Sequence, residues 1–256
     1  KQGNNNRSNY SNNRDSNNFN NKTRFNSYDN EDDFIYTKFR SLLNRLTATN
    51  INTISDEIKK ITITKREHME KLIDSIFSKA IKETRFTAIY ATFVSQMLLY
   101  KITVDSKDVI FADLFIKKCK CMFDECLAFE TELEKQYLDE VDTKVSKTFN
   151  FKDEVIGCIN FVGELYNNRI LKDNIICICL KSIMKAHESN KVYCIDILCN
   201  LIKTIARKFS VSNISVICEN SNNLLKIRDN VSLKERFIIM DLIDFLNKEG
   251  YTQIKY

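Results

Sequence analysis

Two cysteine pairs, Cys119-x-Cys121 and Cys177-x-Cys179, have residue types that bind zinc or other soft metals. Their spacing argues against it. Both pairs fall in stretches of helical periodicity, where residues two apart point about 200° away from each other, so neither pair converges on one ion. With Cys126, Cys158, Cys194, Cys199 and Cys218 they read better as small core residues. The chain has only two histidines, His68 and His187, and both read as surface positions. Its four glycines never cluster into a phosphate-cradling loop. Glu130, Glu132, Glu134, Asp139, Glu140 and Asp142 form an acidic run. Nothing there would bury two carboxylates and separate their pKa values for acid–base work, so the run reads as a solvated connection that could also repel nucleic acid locally. No catalytic constellation, metal site or cofactor site emerges.

The elements that would carry these residues are helical. There is no proline to break a helix, and Lys, Glu, Leu and Ile recur at helical spacing. The expected helices run from Phe34, from Ile51, over Thr64–Glu83, over Phe86–Lys101, from about Asp105 into the 120s, over Asn150–Asn168, Asp173–His187, Lys191–Phe209 and Ile214–Ile227, and from Ser232 to a stop at Gly250. Thr64 with Glu67 and Ser232 with Glu235 have capping-box spacing. The last helix is expected to present Phe237, Ile238, Leu242, Ile243 and Phe245. About ten helices pair at a repeat near 40 residues, the period of HEAT-type units. The fold class is therefore all-α, an α-solenoid of about five HEAT-type antiparallel pairs over residues 34–256. Gly157 and Gly163 interrupt an almost wholly apolar helix, although a glycine costs a helix about 1 kcal/mol against alanine. Each is expected to admit a close neighbour on a different face, with a hinge at Gly157 as the lesser alternative.

Residues 1–33 stand apart. They are rich in Asn and nearly free of aliphatic side chains, and are expected to be a disordered tail. Arg7, Arg14, Lys22 and Arg24 alternate with Tyr10 and Phe19, a mixture that could neutralise and stack on single-stranded RNA or simply be a solvated linker. The net charge of +5 is mild for a dedicated nucleic-acid binder. No apolar run reaches the roughly 18 residues of a membrane span. The scattered, odd number of cysteines fits a reducing, cytoplasmic compartment. The chain begins at Lys1 and is read as a piece of a longer protein.

Ordered motifs then narrow the field. Phe39-Arg-Ser-Leu-Leu-Asn-Arg-Leu-Thr47 is followed by Ile73-Asp-Ser-Ile-Phe-Ser-Lys-Ala-Ile81, Phe86-x-x-x-Tyr90-Ala91, Asn160-Phe-Val-Gly-Glu-Leu-Tyr166 with Leu171, and Arg236-Phe237. In that order they resemble the middle domain of eukaryotic translation initiation factor 4 gamma. The resemblance implies a HEAT scaffold, not an enzyme, that grips both lobes of a 4A-type DEAD-box RNA helicase, stimulates it, contacts mRNA and, in some members, meets other initiation factors. Leu42, Leu43, Ile76, Phe77, Phe86, Tyr90, Phe161 and Leu165 are at core spacing and read as fold residues. Helicase contacts are expected at helix ends and turns: Arg40, Asn44 and Arg45 on the first helix, Arg85 after the third, Lys234 and Arg236 on the last. The tryptophan that family members can carry before the first helix is absent, and Phe34 or Tyr36 stands in for it. The connection over Glu130–Lys147 is shorter than in animal relatives. A cap-binding-protein motif is also missing, since Ser41 occupies the leucine position after Tyr36. Two alternatives remain: a related scaffold for a helicase of RNA decay or splicing, and a helical protein that binds RNA directly.

Overall fold

The computed structural model describes residues 31–128, 144–188, 194–209 and 213–251. Among them are ten α-helices: α1 (Glu31–Asn44), α2 (Ile51–Lys59), α3 (Arg66–Lys82), α4 (Thr87–Met97), α5 (Phe111–Ala128), α6 (Lys144–Asn167), α7 (Asp173–Glu188), α8 (Cys194–Ile205), α9 (Ile214–Ile227) and α10 (Leu233–Lys248). They pair in chain order, α1 with α2 through α9 with α10. The odd-numbered helices α1, α3 and α5 pack side by side, as do α7 and α9, while α2, α4, α6, α8 and α10 stack in a second layer. Five antiparallel pairs in two layers are the solenoid that the periodicity implied.

The core lies between the layers. Phe77 of α3, Phe111 and Phe115 of α5 and Phe161 of α6 form its aromatic centre, with Phe77 stacked on Phe115 at 4.9 Å and edge-on to Phe161 at 5.3 Å. Such offset and edge-on contacts add roughly 0.5–1.5 kcal/mol per pair beyond area burial. Leu42, Leu43, Ile76, Tyr90 and Leu165 are buried as their spacing required.

The two glycines of α6 meet two different neighbours. A Cβ on Gly157 would overlap the backbone carbonyl of Ile81 at the end of α3, and would sit 2.9 Å from its carbonyl carbon. A Cβ on Gly163 would sit 2.6 Å from the Thr204 methyl on α8. The first contact is backbone against backbone and the second is against a side chain. Gly250 closes α10 with φ +88° and is the expected left-handed stop.

Several local expectations change. The helix expected from Asp105 begins at Phe111, because residues 101–110 form an antiparallel hairpin, β1 (Lys101–Val104) with β2 (Lys107–Ile110). Asp105 and Ser106 both have positive φ, 49° and 63°, the geometry of a two-residue type I′ turn, and no glycine advertised it. The preceding helix ends at Met97 and not at Lys101, and starts at Thr87 behind a 3₁₀ turn over Thr84–Phe86. That turn leaves Phe86 47% exposed, so it is not a core residue. Thr64 caps nothing: the residue before α3 is Lys65, without a side-chain cap. Ser232 and Glu235 do form the full capping box of α10. On α10 the buried face is Ile239, Leu242, Ile243 and Leu246, while Phe237 points outward and Ile238 and Phe245 are only half-buried.

His68 is a further correction. It is fully buried, in phase with Leu72 one turn on, and its Nε2 lies 2.9 Å from Asp32 Oδ1. Asp32 also accepts from Lys65 Nζ at 2.8 and 2.9 Å. The helix starts at Glu31, not Phe34, and Asp32 pins its first turn across the start of α3. The Lys65 ammonium, joined by His68, holds the Asp32 carboxyl below the usual carboxylate range. A carboxyl whose folded pKa is lowered contributes stability that is fully present above its unfolded value and is lost as pH falls through the folded one. Thermal midpoints are therefore expected to fall on acidification from about pH 4 downward. Asp32→Asn should lower the midpoint at neutral pH and show no deficit once the parent carboxyl is protonated. A deficit that persists unchanged at low pH would mean that the charge of Asp32 is not what anchors α1.

Candidate partner-binding edge

The pairing fixes where the turns lie. Asp32 at the start of α1 touches Lys65 and His68 at the start of α3, and Lys234 at the start of α10 lies 3.5 Å from Asp196 at the start of α8. Helices within a layer therefore run parallel, and the turns inside the pairs line one edge of the solenoid. The connections between pairs line the other.

The predicted contact residues divide between these edges. Asn44 and Arg45 end α1, Arg85 sits in the turn between α3 and α4, and Lys234 and Arg236 begin α10, all on the edge of the within-pair turns. Phe34 and Tyr36 lie toward the opposite edge, and Arg40 lies between on the exposed side of α1. The structure thus brings five of the eight along one line that spans the first to the fifth pair, without joining them into a single pocket.

Their surroundings differ. Arg85 and Arg40 are exposed and make no side-chain hydrogen bond or ion pair among the described residues. Arg45 is bonded to Glu57 at 3.0 Å, Lys234 to Asp196 at 3.5 Å, and Arg236 to Asp229 at 3.3 Å. The Arg45 and Arg236 pairs are exposed on both sides and hold their cations weakly, whereas Lys234 is an exposed cation held against a buried Asp196. Phe34 is 47% exposed, with Lys38 Nζ 5.8 Å from its ring centre. Tyr36 is half-buried, edge-on to the His68 ring at 5.7 Å and flanked by Lys71. Of the two aromatics that could replace a tryptophan, Phe34 offers the more open surface.

Exposed apolar residues complete the edge, among them Phe86 and Phe237, which the sequence places on apolar faces. Phe86 is exposed beside Arg85, and Leu233 and Phe237 are 69% and 66% exposed beside Lys234 and Arg236. Exposed phenylalanines next to arginines match the aromatic and arginine enrichment of protein-interface cores. The signal for Phe237 was its helical phase. It shares a face with Leu233, four residues before it, and lies opposite Leu242 and Leu246. Phe86 carried no such signal, because the 3₁₀ turn breaks the phase.

The cysteines make no reaction centre. Cys119 is buried while Cys121 is exposed, and Cys179 is buried while Cys177 is half-buried, so neither pair shares a direction. Burial pushes the Cys119, Cys179 and Cys199 thiols up to about 12, away from reactive thiolate character. Of the cysteines expected in the core, Cys121 is exposed, while Cys126 and Cys177 are half-buried and pack against its margin. Among the described residues, no group of three or more His, Cys, Asp or Glu could hold a metal, and no helix is long and apolar enough to cross a membrane. Arg7, Tyr10, Arg14, Phe19, Lys22 and Arg24, and the acidic run from Glu130 to Asp142, lie outside the described residues.

The MIF4G-domain family model matches residues 37–249, nearly the whole of this solenoid. The chain belongs to the MIF4G-domain family. As a MIF4G domain it is similar to eukaryotic translation initiation factor 4 gamma 3 of Mus musculus, 26% identical over an alignment of 228 residues that covers 82% of this chain and 14% of that protein. It is also similar to eukaryotic translation initiation factor 4G of Triticum aestivum, 26% identical over 84% of this chain and 15% of that protein. A probable 4 gamma homolog of Encephalitozoon cuniculi matches at 26% over 84% of this chain and 37% of its own length. The chain thus spans well under half of these relatives. Among solved structures, the MIF4G domain of a Trypanosoma cruzi translation initiation factor superposes with a TM-score of 0.57 at 14% identity, covering 87% of this chain and 99% of that one. That likeness speaks for the fold alone.

Proposed function

We propose that this MIF4G domain is a translation-initiation scaffold that binds and stimulates a 4A-type DEAD-box RNA helicase. The observation that carries the reading is the edge of within-pair turns, where cations and exposed apolar side chains recur at widely separated pairs of a stiff solenoid. Arg85 with Phe86 forms one cluster, and Leu233, Lys234, Arg236 and Phe237 form another. A two-lobed enzyme held at two points spends less entropy in reaching its productive arrangement. The activity belongs to the partner, and this chain supplies geometry and no catalytic group. The family membership and the named relatives support a place in initiation, in the cytoplasm and away from membranes. Arg40, Asn44 and Arg45 extend the contact at the first pair, and Phe34 with Tyr36 anchors the helix start.

Contact with mRNA is a weaker second role, through the basic tail and the exposed cations of the solenoid. Other initiation factors remain candidate partners, whereas recruitment of a cap-binding protein would use sequence outside this chain.

The deciding experiment is calorimetric titration of the chain with the 4A-type helicase of the same source, paired with the helicase's RNA-stimulated ATPase rate. Saturable binding with a raised rate is expected. Absence of binding by a folded chain would sink the reading in favour of a helicase of RNA decay or splicing, or of RNA itself. For RNA, each neutralised phosphate of a single strand would add about 0.7 to the negative slope of log affinity against log salt.

A further inference from the structure

The edge formed by the connections between pairs, opposite the within-pair turns, holds an open cleft of about 720 Å³ between the α6–α7 turn and the 3₁₀ turn that ends α8. Tyr166, Asn167, Arg169, Lys172, Asp173 and Lys208 line it. Its walls are fixed. The Tyr166 hydroxyl reaches Asp173 Oδ1 at 2.9 Å and the Lys208 carbonyl at 3.1 Å, Asn213 Nδ2 donates to Asp173 Oδ2 at 2.8 Å, and Asn167 Nδ2 donates to the Thr204 carbonyl at 3.1 Å. The acid in the cleft is thereby engaged from two sides.

The cations are not. Arg169 and Lys172 are exposed and make no side-chain hydrogen bond or ion pair among the described residues, and Lys208 Nζ has only the Asn167 carbonyl, at 3.2 Å. Three cations therefore face one committed carboxylate. Arg169 also holds a backbone position that favours glycine. Its φ is +62°, and it follows α6 as the left-handed residue of a Schellman-type stop in which Ile170 N–H reaches the Leu165 carbonyl at 3.0 Å. A non-glycine residue there is strained, and the exposed Arg169 side chain makes no hydrogen bond or ion pair among the described residues that would offset it. Beside the cleft, on the first two turns of α7, Ile175 and Ile178 are 38% and 57% exposed.

We infer that this cleft docks a short acidic peptide segment of a partner protein, with carboxylates on Arg169, Lys172 and Lys208 and an aliphatic side chain on Ile175 and Ile178. Charge complementarity selects an acidic occupant. The two exposed isoleucines select a peptide over a nucleic acid, whose bases would need stacking aromatics, and Tyr166 is buried. The site is separate from the helicase edge and does not rest on that reading.

The test is a displayed library of random 12-residue peptides panned on the full chain, with the enriched sequences measured by fluorescence anisotropy. Single-stranded oligouridine is titrated in parallel. Enrichment of Asp and Glu around an aliphatic residue is expected, with affinity falling at least tenfold in Arg169→Gly and in Lys172→Glu. Arg169→Gly is the informative variant because it removes the guanidinium while giving the backbone the residue its conformation prefers, so its melting temperature should hold or rise. Enriched peptides without acidic residues, or binding untouched by both substitutions, would overturn the inference. So would oligouridine binding that is lost in Arg169→Gly while no peptide is enriched, which would make the cleft an RNA site.

Discussion

Gly157→Ala is expected to destabilise the domain, although alanine is the better helix former by about 1 kcal/mol. The new methyl would fall on the Ile81 carbonyl, which is backbone at the end of α3 and cannot rotate away. Relief requires α6 to move off α3. Those two helices, with α5, enclose the aromatic centre of Phe77, Phe115 and Phe161, so the shift opens contacts well beyond the site. Overpacking of this kind costs about 1–3 kcal/mol or more, which exceeds the propensity gain. Gly163→Ala should cost less, because its methyl meets the Thr204 side chain, although that threonine also donates to the Asn200 carbonyl and is not wholly free to turn. The measurement is the urea midpoint of both variants against the parent. An unchanged or raised midpoint for Gly157→Ala would mean that α6 does not cross α3 as closely as described.

That ranking shows how far the sequence reached. Two glycines in an all-round apolar helix marked α6 as central, and the pairing, the helix number and the Ser232 cap followed from periodicity and spacing. What stayed illegible depended on contacts far along the chain or on backbone conformations without a residue signature. His68 looked like a surface histidine because its partner, Asp32, lies 36 positions earlier in what read as a tail. The hairpin at residues 101–110 was absorbed into a helix because Asp105 and Ser106 adopt positive φ without glycine. In the proposed binding edge, the arginines and lysines were legible as helix-end charges. Phe86, Leu233 and Phe237 were not, since an exposed apolar residue and a core residue are the same letter until helical phase is fixed by a neighbour.

Those exposed residues yield the second large effect. Arg85→Glu and Phe237→Ala are each expected to weaken binding of the 4A-type helicase by about tenfold or more, equivalent to about 1.4 kcal/mol. Neither should unfold the domain: Arg85 has no side-chain partner among the described residues, and Phe237 is already 66% exposed. Circular dichroism and the urea midpoint should therefore match the parent. The two sites sit in the second and fifth pairs and share no contact, so their effects should multiply in the double variant. Multiplication alone would fit any extended interface. The two-point grip makes a stronger demand. If stimulation comes from holding both lobes at once, a single substitution should reduce the ATPase rate at saturating scaffold, because a helicase held by one lobe keeps its flexibility however much is bound. A mere affinity effect would vanish at saturation. Full stimulation restored by excess Arg85→Glu or Phe237→Ala chain would therefore refute the grip while leaving the binding edge intact, and loss of fold in either variant would return these side chains to the packing of the solenoid.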